Sequence, residues 1–83
     1  MKGIVVAINH QLGTLVVETP QHRCAILDTL GRISADIGDE MDGDWAERGK
    51  KLIDNITQGN QMQMTLQEVG ISRNEAVGRM TVL

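Results

Sequence analysis

Apolar side chains recur at every second position through much of the chain, and the runs are short. From Lys2 to Asn9, Ile4, Val6 and Ile8 alternate with Val5 and Ala7, the pattern of a strand covered at least partly on both faces. His10-Gln11-Leu12-Gly13 reads as a turn, with glycine available for a positive φ. Thr14 to Thr19 returns as a strand in which Leu15 and Val17 alternate with Thr14, Val16 and Glu18. Pro20-Gln21 ends it, because proline cannot donate to a ladder. His22 to Leu27 forms the third strand. Three strands joined by such short connections make an antiparallel meander.

Beyond Leu30 and Gly31 the alternation loosens. Ile33 and Ile37 stand as isolated apolar anchors beside the acidic stretch from Asp36 to Trp45. Within that stretch, Glu40 to Trp45 suits a short strand with Met41 and Trp45 inward. Lys51 to Thr57 suits another, with Leu52 and Ile56 inward, and Gln58-Gly59-Asn60 is a turn. The sharpest alternation follows: Met62, Met64 and Leu66 are sorted from Gln61, Gln63, Thr65 and Gln67, which a strand does and a helix does not. Ser72-Arg73-Asn74-Glu75 is a capping box, the Ser72 hydroxyl accepting from residue 75 and Glu75 reaching back. It opens a helix over about residues 73–80 that would bury Ala76, Val77 and Met80, weakened by Gly78 by about 1 kcal/mol relative to alanine. Five or six short strands and one terminal helix predict a mainly β fold. The expected object is a small antiparallel barrel spanning residues 1–83 as one domain, closed so that few strand edges are left open.

Composition makes the core aliphatic. Trp45 is the only aromatic residue, and Val, Ile, Leu and five Met supply the rest. A single cysteine, Cys24, allows no internal disulfide, which favours an intracellular, cytoplasmic protein over a small secreted one. The first apolar run is shorter than a signal-peptide core, and no stretch reaches the roughly 18 apolar residues of a membrane helix. The net charge of −3 is unevenly placed. Asp36, Asp39, Glu40, Asp42, Asp44 and Glu47 put six acids within twelve residues, while the other seventy-one residues carry eight bases and five acids. The expectation is an acidic loop on a mildly basic body, without the basic stripe of a nucleic-acid binder.

The order of these features resembles a known family. Gly3-Ile4-Val5-Val6, the strand after Gly13, and Ile37-Gly38-Asp39-Glu40-Met41 resemble the S1-like branch of the OB-fold barrels over roughly residues 3–57. In that branch an apolar-Gly-Asp turn introduces the fourth strand. The whole chain is also similar to a group of short bacterial proteins without assigned function, whose pattern continues through Asn55-Ile56-Thr57-Gln58-Gly59 and ends in a short helix. The first resemblance implies an OB-like barrel and binding of RNA or single-stranded DNA on a barrel face. One departure bears on that ligand. The two stretches that would stack bases, Gly13 to Val17 and His22 to Ile26, contain no Phe, Tyr or Trp, and stacking is worth about 1–3 kcal/mol per base.

No catalytic constellation is present. The acidic segment fails the EF-hand pattern: with Gly43 or Gly49 at the sixth loop position, required ligand positions fall on Gly38, Ala46 or Arg48. His10, His22 and Cys24 lack zinc-site spacing. Cys24 has no evident activating base and reads as a small core thiol. Neither phosphate-binding glycine motif occurs. No metal and no cofactor are expected, and the chain does not read as an enzyme. Trp45 reads first as the largest core plug and second as an exposed binding anchor. Arg48-Gly49-Lys50-Lys51 reads as a solvated turn or a phosphate contact. The expected function is therefore a non-catalytic binding module, for a protein partner or a second copy, with the polar face of Gln61, Gln63, Thr65 and Gln67 available for strand addition. The alternative is nucleic-acid binding through His22, Arg23, Lys50 and Lys51. The residues singled out are Trp45 and these four, together with the six acids.

Overall fold

Strand follows strand with short reversals: β1 Lys2–Asn9, β2 Thr14–Glu18, β3 Cys24–Asp28, β4 Glu40–Asp42, β5 Gly49–Asn55 and β6 Asn60–Ile71, then helix α1 Arg73–Arg79. The computed structural model describes residues 1–29 and 32–80, so Leu30 and Gly31, and the three residues after Met80, lie outside the described residues. The strands close into one barrel in the order β1-β2-β3-β6-β5-β4, every neighbouring pair antiparallel. Two meanders, β1-β2-β3 and β4-β5-β6, thus meet along β3–β6 and β1–β4. The mainly β barrel with a short C-terminal helix is the architecture the alternation predicts.

Two apolar clusters form on opposite sides of the β1-β2-β3 wall. Inside the barrel, Val5, Leu15, Val17, Leu27, Met41, Trp45, Ile53, Met64 and Leu66 pack together, with Ile33 and Ala35 from the β3–β4 connection. Outside it, Val16, Cys24 and Ile26 are sealed by Ala76 and Met80 of the α1 segment, with Val6, Ala7 and Ile71 beside them. This explains why both faces of the first three strands are apolar: one faces the interior and the other faces α1. Among the described residues the outer face of β4-β5-β6 has no such cover, and there Gln61, Gln63 and Gln67 are exposed.

Several expected orientations are corrected by the ladder. In β1 the register shifts between Val5 and Ala7, a bulge that flips the parity of the strand. Val5 and Ile8 therefore face the interior, Val6 and Ala7 face the helix, and Ile4 stays exposed. The third strand starts at Cys24, not His22. His22 has a left-handed φ of 60° and its N–H donates to Thr19 O at 3.0 Å, closing the turn after Pro20. His22 and Cys24 consequently do not share a strand face. The fifth strand begins at Gly49 and ends at Asn55, with Ile53 and Asn55 buried, while Leu52 (62% exposed) and Ile56 point outward. Arg48 to Lys51 is accordingly not a turn, since its last three residues open β5. Ile33 is buried as expected, but Ile37 is exposed. In α1, Ser72 Oγ accepts from Glu75 N at 3.2 Å, whereas the Glu75 carboxylate pairs with Arg79; Ala76 and Met80 are buried and Val77 is exposed.

The end of the barrel bearing the β3–β4 connection is held by a polar network. Gly38 has φ of 96°, a region that favours glycine, and its N–H donates to Val5 O at 2.8 Å. This turn delivers Asp39 to a buried position, where its Oδ2 accepts from Asp36 N (2.9 Å), Asn55 Nδ2 (2.9 Å) and Gln58 Nε2 (2.7 Å). Asn55 Oδ1 accepts in turn from Gln58 N at 2.9 Å. A carboxylate and a carboxamide therefore fasten the loop before β4 to the β5–β6 turn.

Candidate functional site

The opposite barrel end gathers the start of β1, the β2–β3 turn and the β4–β5 loop. Trp45 is buried in the interior cluster, 6% exposed, so the plug reading is the one the structure supports. Its indole Nε1 donates to Met1 O at 2.7 Å, and Gly43 N donates to the same oxygen at 3.1 Å. The Met1 ammonium donates to Asp42 Oδ1 (2.9 Å) and Gly43 O (3.2 Å). A Cβ on Gly43 would stand 2.6 Å from Ile53 Cδ1, so the end of the Ile53 side chain would have to shift to admit it, and 3.5 Å from the Trp45 ring. Trp45 thus pins the loop and the first residue together.

Beside this knot runs an open groove of about 770 Å³, between Met1, the Asp42–Ala46 segment, Leu52 and Asp54 of β5, and Thr19, Gln21 and Arg23 of the β2–β3 turn. Met1 and Leu52 are exposed in it (61% and 62%), and Trp45 also contributes to its lining. Asp42 and Asp54 stand directly opposite each other in the β4–β5 ladder. The ammonium hydrogen bond, with its charge, holds the Asp42 carboxyl below its ordinary range, and Lys2 adds to the effect. The Asp44 carboxyl is lowered chiefly by the hydrogen bond from Ala46 N and then by Lys51, whose Nζ lies 3.5 Å away. Asp54 accepts from Gln61 Nε2 at 2.7 Å and has no ion pair among the described residues.

The groove brings together Trp45, Arg23, Asp42 and Asp44 from the residues singled out in the sequence. The others are dispersed. His22 is fully outside, beside Ile4, Pro20 and Glu40, with Nδ1 3.9 Å from Glu18. Lys50 and Lys51, adjacent in β5, point to opposite sides: Lys50 is exposed on the outer wall and Lys51 is turned to Asp44. The expected acidic loop also comes apart. Asp39 is a buried hub, Asp36 shares the Gln58 amide with it, Glu40 pairs with Lys2 at 3.5 Å, and Glu47 is exposed. Cys24 is a buried free thiol, pushed up by burial first and by the Glu18 charge second. Sequence reasoning missed Leu52 and Asp54. The run Leu52-Ile53 contains two apolar residues, and alternation alone does not say which one faces in.

Among the described residues no three His, Cys, Asp or Glu side chains converge on a point that would hold a metal ion, and no helix is long and apolar enough to cross a membrane. Comparison with protein-family models, curated proteins and solved structures finds no match.

Proposed function

We propose that the protein is a non-catalytic binding module whose groove, between Met1, Asp42–Ala46 and β5, receives a segment of a partner protein. The observation that carries this reading is the pairing of exposed Leu52 and Met1 with a rim of carboxylates in a preformed open groove. Apolar anchors with a few fixed polar groups are what a recognition site requires. The barrel supports the same broad class as the S1-like resemblance, although an OB barrel has five strands and this one has six. The nucleic-acid reading is less well supported. The outer faces of β2 and β3, where bases would stack, lie under α1, and Arg23 shares its groove with three carboxylates while Lys50 and Lys51 diverge. The lone unpaired cysteine agrees with residence in a reducing compartment such as the cytoplasm.

The test compares the parent chain with Leu52→Glu, a substitution at an exposed position that spares the core. Affinity capture from a lysate of the source cells, read by mass spectrometry, should recover a protein held by the parent and lost with Leu52→Glu. A parent chain that sediments as a monomer and captures no protein lost with Leu52→Glu overturns the proposal.

A further inference from the structure

The barrel is closed by a very short strand, and this leaves half of one edge open. β4 pairs with β5 only at Met41–Asn55 and Asp42–Asp54, although β5 pairs with β6 along its whole length from Gly49 to Asn55. Which backbone groups remain open follows from the alternation of an antiparallel ladder. Ile56 N donates to Glu40 O, so the backbone of Ile56 faces β4. Asn55 O accepts from Gly59 N, so the backbone of Asn55 faces β6. Counting back, Asp54, Leu52 and Lys50 face the β4 side. Asp54 is paired there with Asp42. Leu52 and Lys50 have no ladder residue opposite, and none of the hydrogen bonds from the Gly43–Arg48 loop reaches their backbone. Two N–H and two C=O groups in register thus have no backbone partner among the described residues, those of Leu52 beside the groove and those of Lys50 just beyond it.

Resting on the groove as the recognition site, we propose that it binds an extended basic peptide by strand addition to the open edge of β5. Such a strand would continue the line of β4, satisfying the four open groups of Lys50 and Leu52. A side chain opposite Leu52 lies diagonal to Asp54, within reach of a long cationic side chain. Among the described residues Asp54 is the groove carboxylate without an ion pair, and Asp42 beside it is paired with the Met1 ammonium. The pattern recognised is therefore alternating apolar and basic residues, with the apolar ones turned toward Trp45 and Ala46. A second copy fits less well. The open edge faces the groove walls formed by Met1 and Asp42–Ala46. Two such edges would have to approach to strand spacing, about 4.8 Å, past both sets of walls.

Three blocked heptapeptides serve as probes: alternating valine and lysine, alternating valine and glutamate, and the lysine peptide N-methylated at alternate backbone amides. Titration into the full chain, followed by amide NMR, should shift Lys50 and Leu52 with the lysine peptide and slow their hydrogen exchange. N-methylation, which removes about two hydrogen bonds, should weaken binding about tenfold or more. Asp54→Asn should weaken it about two- to fivefold. Leu52→Pro removes the N–H on the open side only and should also weaken binding, its fold checked by retained protection at Ile53. No binding at millimolar lysine peptide, equal binding of the N-methylated peptide, or tighter binding of the glutamate peptide overturns the proposal. A concentration-dependent dimer that Leu52→Pro dissolves overturns it too, assigning the edge to a second copy. Any of these results leaves the capture test with Leu52→Glu to judge the groove itself.

Discussion

Asp39 shows how one carboxylate can organise a barrel end. Its ionised form accepts hydrogen bonds from the Asn55 side chain, the Asp36 backbone and the Gln58 side chain, and these, in that order, hold its carboxyl below the ordinary value of 3.8. A group whose pKa is depressed by folding contributes stability that is fully present above the unfolded value and disappears as pH falls through the folded one. Its contribution therefore lies below about pH 4 in its loss and is intact at neutral pH. Asp39→Asn replaces an acceptor of three donors by a group that brings an N–H₂ against Asn55 and Gln58. The variant is expected to be less stable than the parent at pH 7, and the gap should narrow as pH falls toward 3. Urea midpoints measured from pH 7 to 3 check this. A gap independent of pH would mean that the charge on Asp39 does not matter to the network.

Which face each strand shows to the core is decided between elements, and β5 is the clearest case. Met62, Met64 and Leu66 of β6 alternate cleanly with polar residues and stand as the sequence suggests, all buried. In β5, Leu52 and Ile53 are neighbours, and the inward row includes Lys51 and Asn55, so a count of apolar residues favours the wrong parity. Only the pairing Ile53–Met62 and the burial of Asn55 against Asp39 settle it. In β1 the bulge does the same, since one extra residue exchanges the faces halfway along the strand. The strand count, the Ser72 cap and the Trp45 plug were legible from alternation, capping chemistry and composition, whereas the Gly38-Asp39 turn was expected only from the S1-like resemblance. The groove was not, because it depends on where β4 stops. Ile53→Ala should cost about 2–5 kcal/mol, whereas Leu52→Ala should fall within about 0.5 kcal/mol of the parent. Chemical denaturation of the two variants distinguishes the observed parity from the opposite one.

At the scale of the molecule the barrel has one doubly covered wall and one thin seam. β1, β2 and β3 are packed on the inside by the main cluster and on the outside by α1. The other meander has no such outer cover among the described residues, and its ladder to β1 is three residue pairs long, Lys2–Asp42, Gly3–Met41 and Ile4–Glu40. Local openings draw on the free energy of the contacts they break, so the seam should open well before the covered wall. Amide exchange measured by NMR should therefore fall into three groups. Lys50 and Leu52, with open N–H groups, should exchange without protection, while their neighbours Lys51 and Ile53, bonded to β6, are protected. The β1–β4 ladder should exchange by local opening, at rates insensitive to low denaturant. Val16, Ala25 and Ile26 should exchange only by global unfolding, with full denaturant dependence. Protection of Leu52 equal to that of Ile53 in the free protein would mean that the seam is already filled, and strand addition would then have no edge to use.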